Sequence, residues 1–225
     1  MVIALIINYP LNQLQGLIIS IIGAYLLGSI PSAVWIGKAV KGVDVREHGS
    51  KNAGATNTMR VLGVKTGIPV LLIDVFKGFA AVKLATLLPA FEIGTNAFVN
   101  FQLALGAAAV LGHIFPIFAG FRGGKGVATV VGILLALHWQ ATLVAIAVFL
   151  ITLFISKYVS LSSMMMGLSY PVSVIFIFTT DSISLIIFSI VVSILLIITH
   201  RKNISRLVHG NENKATFLFK KSVRP

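Results

Sequence analysis

The chain has 225 residues, of which 57% are apolar and only 11% charged, where a soluble domain typically carries ~25% charged residues. That deficit and a mean hydropathy of +0.98 exclude a water-covered globule and predict an all-α, polytopic transmembrane helix bundle. The 18 Lys and Arg against 6 Asp and Glu give a charge of +12, and because these cations fall in loops between apolar runs they read as membrane topology, not as a nucleic-acid surface.

A helix needs ~20 apolar residues to cross the hydrocarbon core. In chain order the candidate runs are 14–37, 66–88, 100–119, 127–137, 141–156, 159–178 and 183–199, about seven spans in all. The fourth is too short to cross upright and is expected to start within a protein-lined cavity or to borrow loop residues. Loop charge then sets the orientation. Residues 1–37 hold no Lys or Arg, and the next loop holds Lys38, Lys41, Arg46, Lys51, Arg60 and Lys65. The loop at 89–100 has none, Arg122 and Lys125 follow, the turn at 138–140 has none, and Lys157 comes next. Asp181 marks a further turn without basic residues, and the tail carries Arg201, Lys202, Arg206, Lys214, Lys220, Lys221 and Arg224. The alternation places the N-terminus outside and the C-terminus in the cytoplasm. A five-span version, with the short helices as re-entrant pieces, keeps the same ends. With no internal repeat and no cleavable signal pattern, residues 1–225 read as a single integral membrane domain.

Three polar segments then share the cytoplasmic face. The first, D-V-R-E-H-G-S-K-N-A-G-A-T-N-T-M-R from Asp44 to Arg60, gathers the small polar residues Ser50, Asn52, Thr56 and Asn57 around Gly49 and Gly54. Successive backbone N–H groups in such a loop can cradle an anion, and Arg46, Lys51 and Arg60 add charge suited to phosphate oxygens. An ordinary solvated loop with topological charges is the competing reading.

The second segment, G-F-R-G-G-K-G-V-A-T from Gly120 to Thr129, is a glycine-rich turn running into a helix N-terminus, where anions are favoured. It is not a Walker A loop, because Ala119 and Gly126 occupy positions that motif reserves for Gly and for Ser or Thr. One glycine would suffice for a plain turn, so Gly123, Gly124 and Gly126 together favour a binding role around Lys125.

The third segment, H-R-K-N-I-S-R-L-V-H-G-N-E-N-K from His200 to Lys214, places His200 and Asn203 three apart on one helix face, with Arg206 and Leu207 continuing the helix and Gly210 stopping it. A basic tail attracted to anionic lipid is the alternative reading. Inside the second span, Asp74 and Lys77 are either functional groups or an ion pair that fixes helix packing. His113, in G-H-I-F-P, reads as a packing or hydrogen-bonding residue.

Absent motifs narrow the chemistry. There is no cysteine, no H-x-x-x-x-D acid–base pair, no H-E-x-x-H metal site and no G-x-S-x-G elbow. Carboxylates are too few for a two-metal site, so neither a metal nor a cofactor is expected. Cationic and neutral donors without a strong base suit stabilisation of phosphate and of a developing oxyanion.

The runs G-S-I-P (Gly28 to Pro31), R-E-H-G-S-K-N-A-G-A-T-N with Arg60, L-L-I-D-V-F-K-G (Leu71 to Gly78), G-H-I-F-P…F-R-G-G-K-G-V-A-T and H-R-K-N-I-S-R-L…G-N-E occur in the order found in the bacterial acyl-phosphate-dependent glycerol-3-phosphate acyltransferases. The chain resembles that family from roughly Leu26 to Lys214, with Arg122 where lysine is frequent and Thr199 where a basic residue often precedes the histidine. The resemblance implies a multi-pass enzyme of the bacterial inner membrane with its active site on the cytoplasmic face. It would transfer a fatty acyl group from acyl phosphate to the 1-position of glycerol 3-phosphate, giving lysophosphatidic acid and phosphate for phospholipid synthesis. It also implies catalytic roles for Ser50, Lys125, His200 and Asn203, and substrate binding by Asn52, Thr56, Asn57, Arg60, Gly123, Gly124, Gly126 and Glu212. The partners are then acyl phosphate, glycerol 3-phosphate and membrane lipid, with an upstream soluble or peripheral enzyme as the source of acyl phosphate, and no nucleic acid. The base is either His200 or the substrate phosphate. A membrane transporter for a phosphate ester is the rival; transporters tend to bind at the midplane between repeats, whereas this chain keeps its polar residues at one face. A purely structural lipid-binding protein is the third reading, and it leaves the glycine loop unexplained.

Overall fold

The computed structural model describes residues 11–88 and 91–218, and all secondary structure among them is helical. Both chain ends, with Lys220, Lys221 and Arg224, lie outside the described residues. The helices are α1 (Leu11–Gly28), α2 (Ser32–Lys41), α3 (Ala55–Leu62), α4 (Val64–Lys83), α5 (Asn96–Ile114), α6 (Val127–Leu137), α7 (Trp139–Ser156), α8 (Val159–Val172), α9 (Ile183–Thr199) and α10 (Arg201–Val208).

Among the described residues, four helical stretches are long and apolar enough to cross a membrane: Gln13–Lys41, Asn96–Ala119, Trp139–Ser156 and Val159–Ile177. A fifth results if α9 and α10, bent by 59° at His200, count as one span. Two of the runs expected from the sequence fall short for different reasons. Helix α4 carries Lys65, Asp74, Lys77 and Lys83 within its 20 residues, and α6 has only 11 residues. The exterior is apolar, with Leu72, Phe76, Phe154 and Phe176 all more than half exposed. That surface suits lipid, which asks only that backbone polar groups be satisfied internally, as helices do.

Small residues let the helices approach closely, the usual packing device in lipid. Gly28 of α1 packs on the Ala109 carbonyl of α5, and Gly112 of α5 returns the contact on Tyr25. The same reciprocity joins α4 to α6, where Gly78 packs on the Thr129 carbonyl and Gly132 on that of Val75. Leu105, Ile133, Tyr170, Val174 and Leu196 fill the core between them.

The first run does not continue unbroken to residue 37. Pro31 has no N–H to donate, and the chain opens at Ser29–Pro31 before α2 begins. A gap in a helix exposes carbonyls that hydrocarbon cannot satisfy. Here α4 supplies the partners. Lys77 Nζ donates to the Ile30 carbonyl (2.8 Å), and Asp74 Oδ1 accepts from Ser32 Oγ (2.7 Å). Asp74 and Lys77 pair with each other at 2.8 Å, with side chains 2% and 3% exposed. The last span also departs from expectation: the chain beyond the membrane does not prolong α9 but turns at His200 into α10.

Removing one partner of a buried ion pair leaves an uncompensated charge and costs about 3–5 kcal/mol. Lys77→Met should therefore markedly lower the thermal midpoint of the detergent-solubilised protein, while the double variant Asp74→Asn/Lys77→Met should recover most of the loss. A Lys77→Met protein that melts with the parent would contradict this account of the helix break.

Candidate functional site

The three polar segments meet at one end of the bundle. Arg46 clamps the first to the second: its Nη1 donates to the Ala119 carbonyl (2.7 Å) and to that of Arg122 (3.3 Å), while Asp44 accepts from its Nη2 (2.7 Å). Arg122 and Glu47 add an exposed pair at 3.2 Å. Arg46, expected from the sequence as a supplier of charge to a ligand, is thus occupied in holding two loops together.

Asn57 is also engaged within its own segment. Its Oδ1 accepts from the Ser50 N–H (2.8 Å), and its Nδ2 donates to the carbonyls of Val45 (2.7 Å) and His48 (3.1 Å). The side chain is buried, at 1% exposure, and fixes the loop that presents Ser50. Three residues past Ser50, the Ala53 carbonyl lies against the second segment, 2.6 Å from where a Cβ on Gly124 would stand. Asn52 and Thr56 are half-buried on the same loop and helix start.

The glycine loop turns differently from its expected role as a set of phosphate donors. The N–H groups of Gly123 and Gly124 are spent on the carbonyls of Ile114 and His113, each at 3.2 Å. What the missing side chains provide is room: a Cβ on Gly123 would run into the His113 carbonyl, and one on Gly124 into the His113 ring. Gly126, at φ +83°, is the N-cap of α6 and offers no capping side chain. The first-turn N–H groups of α6, the positive end of its dipole, therefore point beside Lys125 without a side-chain cap.

Lys125 joins the second segment to the third. Its Nζ donates to Asn203 Oδ1. Asn203 Nδ2 in turn donates to Glu212 Oε1 (2.7 Å), which also accepts from Ser160 Oγ at the start of α8 (2.8 Å). Arg206 Nε closes on the other oxygen at 2.7 Å. Glu212 is thus a hub for α8, α10 and the chain after Gly210. Burial opposes its charge, but hydrogen bonds from Arg206, Asn203 and Ser160 outweigh that and hold the carboxyl below its ordinary pKa. The following segment is tied down by the Ala215 N–H on the Lys157 carbonyl (2.8 Å), and Phe217 lies 5.7 Å under the Arg60 guanidinium. Arg60, half-buried at the C-terminal half of α3, feels both Glu212 and Arg206.

Burial pushes the Lys125 pKa down to about 8, and Arg206 and Arg60 push the same way against the pull of Glu212. His200, 2% exposed at the α9–α10 bend, is held at about 4, first by burial and then by the Lys125 charge. Its Nδ1 sits 2.7 Å from the Leu196 carbonyl, which can only accept. Nδ1 therefore carries the proton, and the lone pair of the neutral ring is on Nε2. Glu212 serves Asn203, Ser160 and Arg206, so the site forms no carboxylate–histidine dyad among the described residues. Nor is any group of three or more His, Asp or Glu side chains among them placed to hold a metal ion.

The structure thus gathers Lys125, His200, Asn203, Glu212 and Arg60 into one cationic cluster, with the Ser50 loop against its glycine side. Sequence reasoning missed Ser160 and the role of Arg206 as partners of Glu212. The available signal for Ser160 was a run of serines, Ser160, Ser162 and Ser163, opening an otherwise apolar helix just after the basic turn at Lys157.

An all-helical bundle with an uncapped helix N-terminus and a cationic cluster at one end defines a membrane protein that handles anionic phosphate compounds. A family model described as glycerol-3-phosphate acyltransferase matches residues 18–210, and the chain belongs to that family. It is 46% identical over 197 residues to the glycerol-3-phosphate acyltransferase of Fusobacterium nucleatum, covering 88% of this chain and 97% of that protein. It is 41% identical over 221 residues to that of Chlorobaculum tepidum, covering 88% and 95%. The fold matches two crystal structures of PlsY, an integral membrane glycerol 3-phosphate acyltransferase. The glycerol 3-phosphate form gives a TM-score of 0.80 at 37% identity, and the lysophosphatidic acid form 0.78 at 36%; each match covers 91% of this chain and 99% of the other. With several apolar helices and this fold, the chain is a multi-pass membrane protein.

Burial favours the neutral amine of Lys125 and brings its loss of a proton down to about pH 8. Affinity for a phosphate monoester should accordingly fall as pH rises from 7 to 9.5, measured by calorimetry on the purified protein. A flat profile across that range would contradict a Lys125 that titrates near 8 and lends its charge to binding.

Proposed function

We propose that this protein transfers a fatty acyl group from acyl phosphate to the 1-position of glycerol 3-phosphate, releasing lysophosphatidic acid and phosphate. The observation that carries the reading is the Lys125–Asn203–Glu212 chain beside His200, built on the fold of an enzyme captured with glycerol 3-phosphate and with lysophosphatidic acid. The acyl-phosphate donor is favoured by the absence of a carboxylate–histidine dyad at the site, since an acyl phosphate brings its own good leaving group.

In this reading the acyl chain lies in the bilayer and its phosphate head sits among Ser50, Lys125, His200 and Asn203. Glycerol 3-phosphate enters from the cytoplasm, held by Arg60 and the first turn of α6, with Asn52, Thr56 and Gly126 lining its approach. Its 1-hydroxyl oxygen attacks the acyl carbonyl carbon. The ester C–O bond forms, the acyl–phosphate C–O bond breaks, and the hydroxyl proton leaves on a phosphate oxygen of the substrate. His200 Nε2 orients that phosphate or hydroxyl. Asn57, Gly123, Gly124 and Glu212 act one step back, as supports for Ser50, the helix N-terminus and Asn203.

The domain is one catalytic unit in the bacterial inner membrane, with seven hydrophobic segments, the N-terminus outside and the C-terminus cytoplasmic. This topology is supported by the way four basic segments gather at one end of the bundle, with Arg46 on Ala119, Lys125 on Asn203, and Ala215 on the Lys157 carbonyl, although Lys83 closes the opposite end of α4. Helix α6, about 16 Å long at 1.5 Å per residue, would cross part of the core and begin inside protein. An upstream soluble or peripheral enzyme would supply the acyl phosphate.

Purified protein given palmitoyl phosphate and labelled glycerol 3-phosphate should form lysophosphatidic acid, and palmitoyl-CoA should not replace the donor. Lys125→Ala should chiefly raise KM for glycerol 3-phosphate. His200→Ala should lower turnover about 10²-fold, the scale of losing a group that aligns the reacting atoms. Uptake of glycerol 3-phosphate into vesicles without product would point to a transporter, and full turnover in His200→Ala would remove that residue from the mechanism.

A further inference from the structure

The reaction outlined above leaves a second polar layer unused. Directly behind the glycine loop, Asp74 bonds Ser32 at 2.7 Å and Lys77 at 2.8 Å, and lies 3.8 Å from His113 Nδ1. His113 is 6% exposed, at the end of α5. The same Nδ1 meets Thr129 Oγ1, in the first turn of α6, at 3.0 Å. The opposite edge of the ring carries Nε2, and Gly124 packs on it so closely that no Cβ would fit. The backbone adds a third grip, the Gly124 N–H on the His113 carbonyl at 3.2 Å.

Lys125 therefore lies between two residues held by one histidine: Gly124, hydrogen-bonded to its backbone carbonyl and packed on its ring, and Thr129, hydrogen-bonded to its Nδ1. The intervening chain needs such a hold. Gly123, Gly124 and Gly126 give the loop wide backbone freedom, and a lysine aimed at a phosphate from a loose loop loses affinity to ordering. An aromatic hydrocarbon would fill the ring's space without facing Asp74 or bonding Thr129. Burying the imidazole is offset at its Nδ1 edge, by the Thr129 hydroxyl and the nearby Asp74 carboxylate.

We propose that His113 is a positioning residue: braced against the Asp74–Lys77 pair, it fixes the glycine loop and the first turn of α6, and so sets the direction in which Lys125 and the helix N-terminus meet the acceptor phosphate. The inference rests on the function proposed above and adds a residue to that site.

The test uses the full-length protein with Thr129→Val, Thr129→Ser, His113→Phe and the double variant Thr129→Val/His113→Phe. Glycerol 3-phosphate binding is measured by calorimetry without donor, and steady-state kinetics with both substrates. Losing one hydrogen bond of about 0.5–1.5 kcal/mol corresponds to roughly two- to tenfold. Thr129→Val should raise Kd and KM for glycerol 3-phosphate by that factor, with KM for the donor and kcat nearly unchanged. Thr129→Ser keeps the hydroxyl and should restore binding. The double variant should bind no worse than His113→Phe, because both remove the same contact. If His113→Phe fails to fold, the Val and Ser pair at position 129 decides alone. Unchanged affinity in a folded Thr129→Val protein, equal rises in both KM values, or multiplicative losses in the double variant would each overturn the positioning role while leaving the acyltransferase reading intact. Wild-type protein that binds no glycerol 3-phosphate would overturn both.

Discussion

A charge or a bare carbonyl in hydrocarbon has to find its partner inside the protein, and the Asp74–Lys77 pair meets that demand at the one place where the first span is broken. Pro31 opens the helix, Lys77 takes the freed Ile30 carbonyl, and Asp74 takes the hydroxyl that starts α2. Beyond the break, α2 carries the chain on to the loop that presents Ser50. Without α4 supplying both signs of charge within one helical turn, the Ile30 carbonyl and the Ser32 hydroxyl would lose these partners; the Ser29 hydroxyl in the same gap is buried without one. The close glycine contacts of α4 with α6 then fix where that pair stands relative to the second polar segment.

The polar end of the bundle is therefore layered. The inner layer, Ser32, Asp74, Lys77, His113 and Thr129, is buried and joined by contacts among its own members and to the Ile30 carbonyl. The outer layer, Lys125, Asn203, Glu212, Arg206 and Arg60, is cationic in surplus and open to an anion. The two touch through the glycine loop. Low dielectric strengthens interactions inside each layer and penalises any member left without a partner. Two ligands, each carrying one phosphate group, would complete the outer layer, whereas the inner layer needs none. This difference separates residues that hold the site from residues that serve it, although both sets are polar and both lie near the membrane face.

Much of this was legible in the sequence. Apolar run lengths gave the helical class, the spacing of basic turns put the polar segments on one face, and the motif order pointed to the family. Helix boundaries at Val127–Leu137 and Ile183–Thr199 follow directly from where the apolar runs end. The break at Pro31 was hidden because an apolar run records hydrophobicity and not hydrogen bonding; Gly28 and Pro31 were its only marks. The individual roles were harder. Arg46 bonds a carbonyl 73 residues away, and Ser160 bonds Glu212 across 52 residues. No local pattern tells an arginine that will bind a ligand from one that will tie two loops. Gly123 and Gly124 illustrate the same gap: the sequence marks a need for absent side chains but not whether the reason is a free N–H or a close approach, and here their N–H groups go to α5.

Glu212 shows why the outer layer keeps its geometry before a substrate arrives. Lys125, Arg60 and Arg206 repel one another, and the fields of the two arginines bear on Lys125 directly. One carboxylate among three cations cannot neutralise them, but it can order them. By taking Arg206 on one oxygen and Asn203 with Ser160 on the other, it turns the Asn203 carbonyl toward Lys125. The lysine is thereby held by a neutral acceptor and keeps its charge for an incoming anion. A carboxylate in direct contact with Lys125 would have to be displaced by phosphate at the cost of a strong charge-assisted bond. Placing an amide between them leaves two weaker, directional bonds, so the cluster stays ordered while empty and remains under-neutralised until a phosphate enters.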